Sequence, residues 1–379
     1  MRKIKWNFPD GQAVDIRKEL QEILNGGDVE LYLPEGRYDL DRGLILYDNT
    51  RIFADPDALI RWRNGVASRW NDFLLSNADT ENGNQNIEIQ GGIWDANGAG
   101  NPRCAQDDYD GYGGVGIAFK RVKNLTMENL ILANADCFFV RLCRVESFRF
   151  VRIRFFNALP KMNQDGIHIN GFCRNGVIRE LEAISPFTPS DDMVALNADD
   201  GDGVAAMHGS EPGPIENIEM EGLYAQNAHA FIRMLSQDNP IRNIRISRLR
   251  GGARCNFINM NRWDFAQGKG NISNVRISDI EAHKMPWDLK TDKPLNVPLL
   301  DINLKVHDLE IRNLRRPKLD DGTIPTMVLS TGIPMEIELE LAKAQRVEID
   351  GGSRVITEIQ STMESLILPD GGIKRLYVC

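Results

Sequence analysis

The chain lacks several features that would have decided its class at once. No uninterrupted apolar run approaches the roughly 18 residues that a membrane-spanning helix needs, so no membrane partner is expected. There is no basic excess: Lys plus Arg is 45 against 54 for Asp plus Glu, a formal charge of −9. Nucleic acid is bound through a basic footprint, and this balance argues against it as a partner. Cysteines are few. The six, at Cys104, Cys137, Cys143, Cys173, Cys255 and Cys379, form no CxxC pair and fall far below disulfide-scaffold density. They read as buried free thiols, and no metal or cofactor is expected. The opening MRKIKWNFPDGQ is basic but has no apolar core behind it, unlike a secretory signal. Cytoplasmic residence is therefore favoured slightly over secretion with a leader removed. What remains is an ordinary globular balance, 42% hydrophobic and 26% charged, which argues against intrinsic disorder.

What the sequence does contain is a recurring phrase, a polar residue followed by alternating apolar and polar positions. It occurs as Asn86-Ile-Glu-Ile, Asn124-Leu-Thr-Met, Ser147-Phe-Arg-Phe, Gly176-Val-Ile-Arg, Asn217-Ile-Glu-Met, Asn243-Ile-Arg-Ile, Asn274-Val-Arg-Ile and Asp308-Leu-Glu-Ile, with a later copy at Arg346-Val-Glu-Ile. Successive starts lie 38, 23, 29, 41, 26, 31, 34 and 38 residues apart. Period two marks a short strand with one buried face. Strand repeats of this length, with no helix in each unit, imply a β-solenoid whose stacked coils share one core.

A second column aligns between the phrases: Val140-Arg141-Leu142, Ile167-His168-Ile169, Val194-Ala195-Leu196, Ile232-Arg233-Met234 and Ile258-Asn259-Met260. Its outer positions should point inward and its middle positions outward. Arg141, His168, Ala195, Arg233 and Asn259 would then form an external row lining a groove about as wide as a sugar chain. The first 60 residues read as an end cap, with a helix after Asp15 and a Gly26-Gly27 stop. The expected organisation is one domain over 1–379, with the cap helix within 12–27, main coils over 28–325 and terminal coils over 326–379.

Acidic residues gather in one stretch: Asp165, then Asp191 and Asp192, then Asp199, Asp200 and Asp202. Asp165 and Asp192 each fall two residues before an aligned strand triplet, and Asp191 lies one step outside. Carboxylates crowded on adjacent coils repel one another, and at least one pKa should rise. One protonated acid beside one ionised base is what hydrolysis of a glycosidic bond requires. The ADDGDG loop lacks the final Glu of an EF-hand, and calcium is not expected there.

These motifs in this order resemble glycoside hydrolase family 28, the polygalacturonase-like right-handed parallel β-helices. Asn163-Gln164-Asp165-Gly166, Ser190-Asp191-Asp192 and Arg233-Met234-Leu235 stand for three of its motif regions, and Gly91-Gly-Ile-Trp-Asp-Ala-Asn-Gly98 is similar to a fourth phrase. The resemblance implies an all-β, single-stranded right-handed parallel β-helix with a short N-terminal capping helix. It implies an inverting glycosidase in which Asp191 is the general acid. Asp165 and Asp192 would hold and activate the attacking water, at a carboxyl separation of roughly 6.5–9.5 Å. Arg233 would bind the sugar and Asn163 would orient Asp165. Two departures stand out. Gly201-Asp202-Gly203 occupies the place of the family's Gly-His-Gly, with His208 the alternative source of an imidazole. Leu235 replaces the family's lysine, which points away from strict galacturonate specificity.

His168, His208, Asp202 and Arg141 complete the expected substrate-binding set, with Arg141 either touching sugar or pairing with Asp136. His229, His283 and His307 read as structural or surface residues. Trp94, Tyr109, Tyr112, Trp263 and Trp287 are candidate wall aromatics, and the segment beginning at Gln106 is a candidate flap. The expected partner is an oligo- or polysaccharide. A lyase or epimerase on the same scaffold, or a non-catalytic carbohydrate-binding solenoid, are the alternatives. Oligomeric state, sugar identity and exo or endo action are not fixed by the sequence.

Overall fold

Each coil contributes strands to two stacked parallel sheets, a long-strand sheet and a short-strand sheet. The structure, a computed structural model, describes residues 1–7, 15–105, 107–201, 204–262, 264–266, 268–288, 290, 292–317, 319–320, 324 and 326–327, and the backbone of 328–329, 336–341, 347–349, 354–359, 366–367 and 375–378. Winding of this kind, with parallel neighbours in both sheets, is the right-handed parallel β-helix.

The recurring phrases form the long-strand sheet, and their leading polar residue has a conformational role. Asn86, Asn124, Ser147, Asn175, Asn217, Asn243, Asn274 and Asp308 all have φ between 52° and 60°. Asn and Asp visit this left-handed region more cheaply than other L-residues, because a short polar side chain bonds locally. The amides also stack. Asn86 donates to Asn49 at 2.7 Å and Asn124 to Asn86 at 2.9 Å. Asn217 donates to Asn175, Asn243 to Asn217 and Asn274 to Asn243, at 3.0, 2.8 and 2.8 Å. One phrase is out of place in the sequence reading: the rung is Asn175, and Gly176 takes the apolar position after it. A Cβ on Gly176 would sit 2.1 Å from the Phe148 ring, which fills that space. The copy expected at Arg346 is also misplaced. Val347–Ile349 pairs with Met327–Leu329 in the short-strand sheet, and Glu336–Leu341 continues the long one.

The short strands align as expected. Val140 pairs with Ile167, Ile167 with Val194, Val194 with Ile232 and Ile232 with Ile258. These inward residues are at most 1% exposed, and burying one such side chain is worth about 1.5–3 kcal/mol. The middle positions form the expected row, but a covered one: Arg141, His168, Ala195, Arg233 and Asn259 are all buried. His168, Arg233 and Asn259 line a cleft over the row, while Arg141 lies under the carbonyl of Ala206.

The helix Ile16–Leu24 is capped by Asp15, which accepts from the Lys18 amide at 3.0 Å. Leu20 and Leu24 plug the end of the core. The Gln21 amide bonds both backbone groups of Ile45 at 2.9 Å, closing the first strand of the short sheet, an edge that would otherwise be open to pairing. The strands after the helix, Val29–Leu33 and Thr50–Ala54, are already coils rather than a separate cap.

Asn217→Ala should lower stability by about 1–2 kcal/mol, the cost of a left-handed L-residue, while Asn217→Gly should cost less despite losing the same ladder bonds. Urea unfolding of both variants checks this; equal losses would assign the effect to the ladder instead.

Candidate active site

The register converts sequence spacing into a cluster. Asp165 and Asp192 precede paired strands by the same two residues, and Asp191 adjoins Asp192. One oxygen from each of the three lies within 4.8 Å of the others.

The local chain explains the placement. Gly166 follows Asp165 because a Cβ there would meet the Met193 carbonyl at 2.5 Å and the Phe155 ring at 3.0 Å. Gln164 is buried and pins the two acidic turns together. Its Oε1 accepts from the Lys161 amide at 2.6 Å and the Ser190 hydroxyl at 2.9 Å, while its Nε2 donates to the Ala135 carbonyl at 2.8 Å.

The three carboxyls sit in different electrostatic settings. Burial pushes Asp165 up to about 6, against the pull of its 2.6 Å hydrogen bond to His168 Nδ1. Burial, then the charges of Asp191 and Asp165, push Asp192 far above the ordinary range. Burial also raises Asp191, with Arg233, His168 and Asn163 opposing it. Asp191 is the most open of the three, with a quarter of its side chain exposed. Burial alone would lower His168, but contacts with Asp165 and with Asp200, 3.4 Å from Nε2, carry it up to about 9. The pattern is an imidazolium between the carboxylates of Asp165 and Asp200, beside Asp192, whose burial favours its neutral form, and Asp191, shifted in the same direction. The same three aspartates are spaced to hold a cation, but the His168 and Arg233 charges beside them oppose one.

These groups line a cleft of about 1070 Å³. Of the substrate-binding set, His168, Arg233 and Asn163 lie in it. Arg233 donates to Asn261 at 2.7 Å. Asn163 donates to Asp191 at 3.2 Å, so its partner is not the expected Asp165. Arg141 and His208 do not line the cleft. Arg141 donates to the Ala206 carbonyl at 2.6 Å, and Asp136 pairs with Lys161 instead. His208 packs between Trp70 and Tyr109, at ring distances of 4.1 and 5.3 Å. Asp202, Gln106 and Trp263 lie outside the described residues. Trp94 and Tyr112 are core residues, and of the candidate wall aromatics only Trp287 reaches the cleft among the described residues.

Several cleft residues escaped the sequence reading. Asp200 reaches the site while Asp199 anchors a turn, accepting the amides of Gln237, Asp238 and Asn239 at 2.5–3.0 Å. Only the direction of two successive side chains separates them. His229 lies in the cleft wall, its Nε2 3.9 Å from Asp191. Its position relative to Ala230 matches that of Asp191 relative to Asp192, and those two strands pair. Extending the strand alignment outward by three residues would have found it. Arg254 lines the cleft too, its guanidinium 4.9 Å from the Phe187 ring centre.

No family model matches the sequence, and no curated protein does. Among solved structures the chain is similar to a family 28 exopolygalacturonase of Yersinia enterocolitica, with 13% identity and a TM-score of 0.58 over 99% of this chain and 77% of that one. It is also similar to PfbA, a surface adhesin of Streptococcus pneumoniae, with 14% identity and a TM-score of 0.53 over 96% of this chain and 86% of that one. At such identities the likeness bears on the fold alone, the right-handed parallel β-helix, and leaves the chemistry to the residues of the cleft.

Proposed function

We propose that this protein is a glycoside hydrolase that cleaves a glycosidic bond in an oligo- or polysaccharide. The observation that carries the reading is the convergence of Asp165, Asp191 and Asp192 in one cleft, with burial raising all three carboxyls and His168 hydrogen-bonded to Asp165 alone among them. Of the two neighbours named, one is an exopolygalacturonase and the other a surface adhesin, so this cluster, rather than the fold, is what supports an enzyme over a binder.

Asp191 faces the cleft and donates its proton to the leaving oxygen, with Asn163 fixing its carboxyl. Asp165, held ionised by His168, takes a proton from water, and Asp192 holds that water. The C–O bond to the leaving sugar breaks as the water oxygen bonds to the anomeric carbon. Asp165 and Asp192 are only 3% and 8% exposed. Carboxyls that deep act on a sugar carbon through water, and delivery of water opposite the departing group inverts the centre. Arg233 and His168 bind sugar hydroxyls. Leu235 in the cleft wall provides no charge for a carboxylate, so galacturonate is not strictly required.

Asp191→Asn should lower kcat by about 10²–10⁴-fold, the worth of a positioned acid, with the melting temperature unchanged; full activity in a glycan screen would remove the assignment. Product anomers followed by NMR should show inversion, and retention would make one carboxylate a nucleophile. Because Asp165 must be ionised to accept a proton, kcat/KM should fall as pH drops through about 6. His168→Asn removes the bond that holds Asp165 down, so this limb should move to higher pH. An unmoved limb would show that Asp165 is not the base.

A further inference from the structure

The cleft is bounded very differently at its two ends. On the N-terminal side, the outward row of the short sheet runs from Ala118 through Arg141 to His168, paired strand to strand. A groove continuing along the sheet would leave these positions bare, yet they are 6%, 7% and 2% exposed. Over Ala118 and Arg141 the cover is the segment 204–211, which folds back across them, while the His168 ring stacks on Phe138 at 4.0 Å and lines the cleft. Ala206 and Met207 pack against Val115, Ala118, Cys137 and Phe138. The Arg141 guanidinium donates to the Ala206 carbonyl, and Lys120 Nζ donates to the Gly209 carbonyl at 2.7 Å. Glu211 fastens the end of the segment through ion pairs to Lys120 and Arg121 at 2.9 Å and Arg144 at 2.5 Å. The seal is tight beneath it, since a Cβ on Gly113 would lie 2.6 Å from the Ala205 carbonyl oxygen.

Phe138, Val204 and Met207 form the resulting end wall of the cleft. The wall stands one coil from the acidic cluster: Phe138 precedes Val140 by the two residues that separate Asp165 from Ile167, and those strands pair. One coil rises about 4.8 Å, room for roughly one sugar unit. In the other direction the cleft passes His229, against whose ring Trp287 packs at 5.3 Å, and then Arg254 on the next coil; Trp287 and Leu295 also line it and are 37% and 39% exposed.

We infer that the enzyme is exo-acting, taking one terminal sugar against the wall formed by Phe138, Val204 and Met207 and releasing a monosaccharide from the end of a chain. The inference rests on the hydrolase reading above. A long chain fits only with its end against the wall, because internal bonds would need sugars on the side that 204–211 occupies.

The test is a time course on homogalacturonan, β-1,4-galactan, xylan and arabinan, following products by chromatography and polymer length by viscosity. A monosaccharide as the sole early product, with viscosity nearly unchanged, is expected. Mixed oligosaccharides with an early fall in viscosity would overturn the exo assignment alone. No turnover of any polymer would overturn the hydrolase reading and this inference with it. The Arg141→Ala/Glu211→Ala double variant, confirmed as folded by circular dichroism, should release the segment and shift early products toward oligosaccharides. An unchanged monosaccharide pattern in that variant would show that the segment is not what excludes internal cleavage.

Discussion

Everything in this molecule depends on register, and register depends on a left-handed residue at the same place in coil after coil. The rungs at Asn175, Asn217, Asn243 and Asn274 hold each phrase opposite the one before it, through bonds of 2.8–3.0 Å. A slip of one residue would turn every apolar side chain of a strand outward. The same register carries Asp165 and Asp192 onto adjacent coils and puts His229 one coil beyond Asp191. The geometry of the acidic cluster is therefore a by-product of the stacking geometry. No strand carries the site alone.

Within that frame the site is built from burial opposed by charge. Removing three carboxyls from water favours their neutral forms. His168 restores one negative charge at Asp165 by sitting between it and Asp200, while its ring stacks on Phe138 at a centroid distance of 4.0 Å. Apolar stacking on one face of the imidazole and carboxylates at both nitrogens fix its orientation. Among the three aspartates, His168 hydrogen-bonds Asp165 alone and so favours the charged form there most directly.

Both sheets could be read from the sequence, because their apolar and polar positions alternate strictly over paired strands. The acidic triplet was readable for the same reason. Gly176 misled the alignment because a neighbour's phenyl ring, invisible in a local pattern, supplies the missing side chain. Arg141 was placed in the groove because strand alternation points it outward; alternation contains no information about the segment 204–211 that returns to cover it. Asp200 and Asp199 are identical in type and adjacent, and only the turn between coils sends one into the cleft and the other to three backbone amides. Loops, whose paths are set by tertiary contacts, hold nearly all that the sequence left undetermined.

The ladder has a consequence for how such a protein can change. Neighbouring rungs are 26 residues apart from Asn217 to Asn243 but 42 apart from Asn175 to Asn217, while the paired strands keep one alignment. All of that difference is absorbed in connections outside the ladder. The longest interval contains the segment 204–211, two of whose residues line the cleft. Shortening or exchanging it would reshape the cleft while leaving the stacked core unaware of the change, so diversification of this scaffold can proceed by editing excursions rather than foundations.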